Sequence, residues 1–532
     1  MKSEKYLSEI IKFKTLTPIF IAQNQANDLS PYSDFVQEEN QIIYLDEQKF
    51  EKALFSKQGL LDEYVKSIRN KIDKSKTQST FDLKSFLEKN FDTVNDFIKF
   101  KVPVDQDLKH QKIKRFINTS GRPYIPGSTI KGALRTAIIY NWLMNSDSGK
   151  KVINSLISKV QEIFNKIEKL DQEKKNSQIT KDKIKSIDKG LKNLRSRKNI
   201  DKELNNIYDE QKLFGKIDKE NKSGLDSRFI QVTDSEPFKM ENISVLKLQR
   251  IKLRDNFEVS PLPSETLNPN IINTFTLKLE KSFIQPELTV FNSLDIKNIF
   301  KVLNEFSLAS IIYELESFNS FHNIEIKNDK GNKTDYSNII EFYNELKTII
   351  EQNRNEFCVL RLGSGKTYFD NSIGLVLYKS NKEAFKQYRS LLELGKNPQT
   401  KKLVEGRFPT TRTIVEATKL PIGWIALSND GDLLNFELYK TKIKKNESIS
   451  FQPKTSTSTP IPNKDFIIAE IINDKSKPPR VKIIEGDYTG KETILSGVRL
   501  EGFGLKNGSK VYVQLLVEKK NLIKADYKGK VE

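Results

Sequence analysis

Residues 121–139 read GRPYIPGSTIKGALRTAII. Pro123 and Pro126 fix an extended approach, Gly127 permits a tight backbone turn, and Ser128 or Thr129 is placed to cap a helix running from about Ile130 to Trp142. The first amides of such a helix have no intrahelical partner and carry partial positive charge, so an anion is favoured there. Lys131 and Arg135 lie four residues apart on one helical face and add two full charges, with Arg122 and Tyr124 just upstream. Ala133, Leu134, Ala137, Ile138 and Ile139 leave another face small and apolar, suited to close packing on a sheet. The stretch reads as an anion cradle; the plainer alternative is a capped helix with a basic exposed edge.

The composition agrees with a polyanionic partner. The chain has 532 residues with 89 Lys and Arg against 70 Asp and Glu, a net charge of +19, and its pI is about 9.4. The single cysteine, Cys358, excludes an intramolecular disulfide and any cysteine-cluster metal site, so no metal and no cofactor is expected. The first residues, MKSEKYLSEIIKF, lack the apolar core of a signal peptide, and no run is long and apolar enough to span a bilayer. The expectation is a soluble, cytoplasmic protein with no membrane contact.

Working outward, residues 5–21 near-alternate apolar with Thr and Lys and read as a first strand. Residues 41–55 read as a strand at Ile42–Leu45 followed by a helix capped near Asp46, and residues 50–118 as mainly helical. In the Lys/Glu/Asn-rich stretch 146–222, Val152, Leu156, Val160, Ile163 and Ile167 recur at spacings of three and four, giving a solvated helical arm that Gly190 and Gly215 could interrupt. A strand resumes at Arg228–Val232, before Asp234 and Ser235, another spans 273–283, and residues 297–352 are again helical with His322 and an NDKGNK turn between helices.

CVLRLGSGKTYF, residues 358–369, is a strand emptying into a Gly-Ser-Gly-Lys-Thr loop. Gly363 and Gly365 allow close backbone approach, Ser364 and Lys366 add polar and charged groups, and successive amides there could form an anion-binding nest beside Arg361. A nucleotide-binding P-loop fails on detail: glycine is required where Leu360 stands, and the residues after Thr367 do not read as a phosphate-binding helix. The Ser/Thr/Pro-rich stretch 444–464 reads as a linker, and five short β-rich runs within 465–532 have the pattern of a small barrel, with Tyr488, Phe503, Tyr512 and Tyr527 as its few stacking candidates. Catalytic material is sparse. Only His110 and His322 are present, His110 within the basic run KHQKIKRF, and neither has a recognisable nucleophile or acid partner.

IPGSTIKGALR, residues 125–135, resembles the central signature of the RAMP superfamily of CRISPR proteins, which in many members reads I/L-P-G-S-S-I/L-K-G-A-L/I-R. TLTP at 15–18, LSP at 29–31 and the strand, acidic turn and helix that follow are similar to the start of RAMP proteins of type III-A complexes; Phe20 and AQNQ at 22–25 depart from the small or histidine residue and glycines common there. The 363–367 loop is similar to the C-terminal Gly-rich element of the superfamily, and 411–427 resembles its strand and P-x-G-W finish. The resemblance implies an α+β protein of two ferredoxin-like, RRM-like units: residues 1–290 with helical insertions at about 50–118 and 146–222, and residues 291–445 with the Gly-rich loop. A linker at 446–464 and an accessory OB-like barrel at 465–532 would follow.

The implied function is non-catalytic binding of guide RNA (crRNA) at the 3′ end of a type III-A Csm effector complex, supporting crRNA maturation and antiviral defence. The RNA-binding residues would be Arg122, Tyr124, Gly127, Ser128, Thr129, Lys131, Arg135, Arg361, Gly363, Ser364, Gly365 and Lys366. Implied partners are crRNA, target RNA nearby, the repeated RAMP backbone subunit, the small subunit and host nucleases. Two alternatives stand beside this: a metal-independent guide-processing endoribonuclease using His110 or a tyrosine, and a RAMP subunit of a Cmr-like or type III-D assembly.

Overall fold

Strand β1 (Tyr6–Thr15) buries Ile11 and Phe13 while Ser8, Ile10 and Lys12 face outward, the period of two that a one-faced sheet imposes. The computed structural model describes residues 6–23, 28–72, 81–91, 94–108, 110–175, 179–208, 229–253, 257–280, 288, 295–326, 329–353, 355–397, 403, 408–436, 438, 467–474, 476, 479–496, 506–518 and 521–530. After β1 come β2 (Phe35–Glu38), β3 (Gln41–Leu45), α1 (Glu47–Ser56), α2 (Leu60–Ile72), α3 (Leu83–Asn90) and β4 (Ile98–Pro103). The hairpin β5 (Asn118–Thr119) and β6 (Arg122–Pro123) leads into α4 (Gly127–Asn145), and an arm of α5 (Asp147–Lys174), α6 (Lys181–Leu194) and α7 (Arg197–Asn205) follows. Next are β7 (Ile230–Val232), β8 (Ile243–Lys252), β9 (Phe257–Leu267) and β10 (Ile272–Glu280), then α8 (Ile296–Phe321), β11 (Glu325–Ile326), β12 (Asp329–Lys333) and α9 (Ser337–Gln352). The elements β13 (Cys358–Arg361), α10 (Gly374–Ser380), α11 (Lys382–Leu391), β14 (Thr411–Val415) and β15 (Trp424–Ser428) complete a first compact unit, residues 1–442.

A five-stranded antiparallel sheet in the order β13-β15-β1-β10-β7 draws strands from both halves of this unit. The expected border at residue 290 therefore falls inside one body, because β1 pairs on one side with β10 and on the other with β15. Helix α4 buries Ile130, Ala133, Leu134, Ala137 and Ile138, as its small-residue face requires. Burying each large side chain of that kind stabilises the fold by roughly 2 kcal/mol. Helix α8 is tied to β13 by polar groups as well: Asn304 donates through Nδ2 to the Phe357 carbonyl at 2.9 Å and accepts from the Val359 amide at 3.2 Å.

A second sheet has the order β14-β8-β9 and a third β2-β3-β4. The third corrects the helical reading of 50–118, since IKFKVP alternates burial as β4 and pairs with β3 from Gln41↔Pro103 to Leu45↔Ile98. Sequence reasoning passed over β8 and β9 entirely. These sheets meet at a buried carboxylate: Tyr44 Oη donates to Glu265 Oε1 and the Phe116 amide to Glu265 Oε2, each at 2.8 Å. Burial holds the Glu265 carboxyl above the usual range, with the hydrogen bonds from Tyr44 and Phe116 opposing. In the arm, Gly190 does not interrupt α6; it stands where a side chain would touch Leu170 of α5 at 3.4 Å, and Gly215 lies outside the described residues.

The second compact unit, residues 443–532, contains β16 (Ile467–Asn473), β17 (Arg480–Ile483), β18 (Glu492–Ser496), β19 (Lys510–Glu518) and β20 (Asn521–Lys530), which close a barrel in the order β16-β17-β18-β20-β19. Its core is Ala469, Ile471, Val481, Ile483, Leu495, Val511, Val513 and Ala525. The whole linker expected at 446–464, together with Phe503, lies outside the described residues. Among the described residues no helix is long and apolar enough to cross a membrane.

Candidate nucleic-acid interface

The β5–β6 hairpin turns through Ser120 and Gly121, at φ 52° and 76°, and presents Arg122 exposed at its end. From there the chain runs beside residues 234–238: the Phe238 amide donates to the Pro123 carbonyl at 2.8 Å, the Ser235 amide to the Ile125 carbonyl at 2.9 Å, and the Ile125 amide to Ser235 Oγ at 2.9 Å. This brace delivers the start of α4 onto the end of β7. A Cβ on Gly127 would lie 2.3 Å from the Val232 carbonyl oxygen and 2.6 Å from that of Thr233, so only glycine fits.

The helix starts at Gly127 rather than near Ile130, with Pro126 as N-cap and no cap from Ser128 or Thr129. The capping group comes from across the sheet: the Gly127 amide donates to Asp234 Oδ1 at 2.8 Å. One end-amide is thus already taken by a carboxylate, and the Thr129 amide bonds the Pro126 carbonyl at 2.9 Å. The helix terminus therefore offers fewer free amides than the sequence suggests, and the full charges at this face come from side chains. Ser128 and Gly132 are exposed, Tyr124, Thr129, Lys131 and Arg135 half-buried, and nothing stands within 4 Å of a Cβ on Gly132.

The Gly-rich loop behaves differently. Gly363–Gly365 is a single 3₁₀ turn, and its amides face inward: Ser364 donates to the Phe20 carbonyl at 2.9 Å, Lys366 to that of Gly363 at 3.2 Å, and Thr367 to Asp370 Oδ2 at 2.6 Å. The expected anion nest is therefore closed by internal hydrogen bonds. Its glycines serve close packing of three loops. A Cβ on Gly363 would meet the Phe20 carbonyl oxygen at 2.3 Å, one on Gly365 that of Ile422 at 2.0 Å, and one on Gly423 that of Leu362 at 2.3 Å.

Arg361 is the clearest correction. Expected to grip a backbone, it is 4 % exposed and lies between Glu314 Oε1 at 3.9 Å and Asp370 Oδ2 at 3.5 Å, its Cζ 5.4 Å from the Trp424 ring centre. Glu314 also accepts from Arg412 Nε at 2.6 Å. Two arginines thus share two buried carboxylates, an arrangement that specifies packing and is costly to break from one side. From this loop Ser364 remains exposed and Lys366 half-buried. Burial pulls the Lys366 ammonium below the usual lysine range, Arg361 acts in the same direction, and Asp370 opposes.

His110 sits exposed in a left-handed turn at φ 62°, on a cleft that Glu39, Asp82 and Asp107 also line. Among the described residues no group of three or more His, Cys, Asp or Glu is arranged to hold a metal ion. Residues the sequence did not nominate are Asp234, whose capping role depends on β7 reaching α4, Arg250 and Arg412, brought to the Gly-rich loop by β8 and β14, and Arg389 of α11, stacked on Phe408. Only the order of Asp234-Ser235 after a strand hinted at the first.

Among solved structures, the chain is similar to one in the cryo-EM structure of a Csm–crRNA–target RNA ternary complex of a type III-A CRISPR-Cas system, at TM-score 0.53 and 22 % identity, covering 79 % of this chain and 100 % of that one. It also matches the crystal structure of T. onnurineus Csm5 at TM-score 0.47 and 20 % identity, covering 78 % of this chain and 99 % of that one. A curated relative, the CRISPR system Cms protein Csm5 of Methanocaldococcus jannaschii, is 24 % identical over 336 residues, 60 % of this chain and 66 % of the relative. The match thus spans just under two thirds of that relative's length. Residues 12–369, which include the α4 face and the whole Gly-rich loop, match the model of the RAMP superfamily, and the chain belongs to that superfamily.

Proposed function

We propose that this protein is a non-catalytic guide-RNA-binding subunit of a type III-A CRISPR effector complex, occupying the position of Csm5 at the 3′ end of its backbone filament. The observation that carries this reading is the α4 face, where exposed Arg122 and Ser128 flank half-buried Lys131 and Arg135 on a helix anchored by Asp234. Contacts of that kind hold phosphates without reading bases, which suits a subunit that must accept any guide sequence. Tyr124 is placed beside them for stacking, Ser364 and Lys366 extend the surface, and Gly127, Thr129, Gly363 and Gly365 shape it through backbone packing. The net charge of +19 supports the same partner.

In this reading the first unit consists of two ferredoxin-like halves sharing one sheet, and the second is an OB-like barrel, in keeping with its five-stranded closed order. The complex, in the cytoplasm, would bring crRNA, target RNA, the repeated RAMP subunit and the small subunit to this chain, with host nucleases trimming the guide. The Lys131→Ala, Arg135→Ala double variant tests the proposal. Its melting temperature should stay close to that of the parent, while the log–log salt dependence of single-stranded RNA binding becomes shallower by about 1.4, the value for two lost phosphate contacts. An unchanged salt slope and unchanged guide content in purified complex would refute it.

A further inference from the structure

A cleft of about 630 Å³ opens beside the Gly-rich loop, lined by Arg250 of β8, by Lys366 and Thr367, and by Phe408, Thr411 and Arg412 around the start of β14. Among the described residues no carboxylate lines it. Its walls hold polar atoms without hydrogen-bond partners: Arg412 is 3 % exposed with Nη2 unpaired, and Thr367 Oγ1 is buried and unpaired. Behind the wall lies Arg389 of α11, 7 % exposed, its Cζ 4.6 Å from the Phe408 ring centre and its Nη2 3.2 Å from where a Cβ on Gly395 would stand. Phe408 and Gly395 both line the cleft, and Arg389 Nε and Nη2 have no partner. Native proteins rarely leave buried guanidinium donors unpaired, so the groups point to a missing acceptor.

The charge balance says what kind of acceptor. Glu314 and Asp370 neutralise Arg361 and Arg412. Arg250, Lys366 and Arg389 make no ion pair among the described residues, and Arg250 spends Nε and Nη2 only on Thr411 Oγ1 at 3.1 Å. An internal phosphodiester brings one negative charge to these three cations, whereas a phosphomonoester brings about two at pH 7 and three acceptor oxygens. Planar guanidinium donors and a hydroxyl-rich wall match such a group. We propose that this cleft is a phosphomonoester-binding site, taking the terminal phosphate of an RNA strand or of a free mononucleotide. The RNA source rests on the guide-binding reading; the phosphomonoester chemistry does not.

The test is calorimetric titration of the purified full-length protein with matched pairs: AMP against adenosine, and one short oligoribonucleotide bearing a 3′-phosphate, a 5′-phosphate or hydroxyls only. At least one phosphorylated member should bind about tenfold tighter than its hydroxyl counterpart, the contribution of a charge-assisted hydrogen-bond set. The preference should vanish in Arg250→Gln and Lys366→Gln, which alter an exposed and a half-buried residue, and Arg250→Lys should keep it with an unchanged melting temperature. Preference for AMP identifies a free nucleotide as the source; preference confined to one oligonucleotide end identifies that RNA terminus. Equal affinities within every pair, or a preference that survives both glutamine variants, would overturn the assignment. If AMP is preferred while no oligonucleotide binds, the cleft stands and guide binding falls.

Discussion

The start of α4 and the Gly-rich loop are written in nearly the same residues, PGSTIKG and GSGKT, yet one faces outward and the other is folded into the body of the protein. At α4 the glycine packs against β7, and of the polar residues after it Ser128 is exposed and Thr129 and Lys131 are half-buried, because they lie off the apolar face that packs inward. In the loop, both glycines and the Ser364 amide are used against neighbouring loops, the Lys366 and Thr367 amides bond within the segment itself, and little but Ser364 and Lys366 reaches solvent. Glycine, serine and lysine in sequence therefore state that a backbone comes close to something. Which partner it approaches, a ligand or another loop, is set by residues far away in sequence, such as Val232 for Gly127 and Phe20 for Gly363.

The contrast is broken most directly at the loop. Gly365→Ala places a methyl 2.0 Å from the Ile422 main-chain oxygen, a clash that only a backbone shift relieves. A destabilisation of about 3 kcal/mol is expected, read as a lower midpoint in urea with an unchanged slope. A variant as stable as the parent would mean that the three loops are not packed as described.

Much of the architecture is legible from local pattern, and the exceptions share a cause. Strand β1, the helix capped by Asp46 and the arm α5–α6 follow from alternation, capping chemistry and three–four spacing, all properties of neighbouring residues. Strand β4 was hidden because its alternation is short and follows three helices, β8 because it mixes polar residues into both faces, and β9 because Pro261 and Pro263 argue against a strand. At the site, the positions of Lys131 and Arg135 on one face were readable from helical period alone. That Arg361 turns inward was not, since its partners Glu314 and Asp370 lie on either side of it in sequence, 47 and 9 residues away (361 − 314; 370 − 361).

A smaller effect sharpens the α4 side of the comparison. Asp234→Ala removes the cap from the Gly127 amide and should lower stability by about 1 kcal/mol. It also removes a negative charge from the proposed RNA-binding face, so single-stranded RNA should bind about threefold tighter at low salt, with the gain fading as salt is added. Loss of stability together with unchanged or weaker RNA binding would place the nucleic acid away from this helix end.

The smallest effect is the most discriminating. Gly132 is exposed in the middle of α4, on the face shared by Ser128 and Arg135, with nothing within 4 Å of a built Cβ. In an isolated helix Gly132→Ala should stabilise by about 0.5 kcal/mol, since alanine restricts the unfolded chain and shields the helix backbone. If the phosphate backbone lies against this face, the added methyl occupies the space it uses, and RNA affinity should fall even as the melting temperature rises. Opposite signs in the two measurements cannot come from a damaged fold, which would lower both. A rise in stability with RNA affinity unchanged would instead make this face an ordinary solvated helix surface, and the distinction between outward and inward glycine motifs would lose its functional meaning.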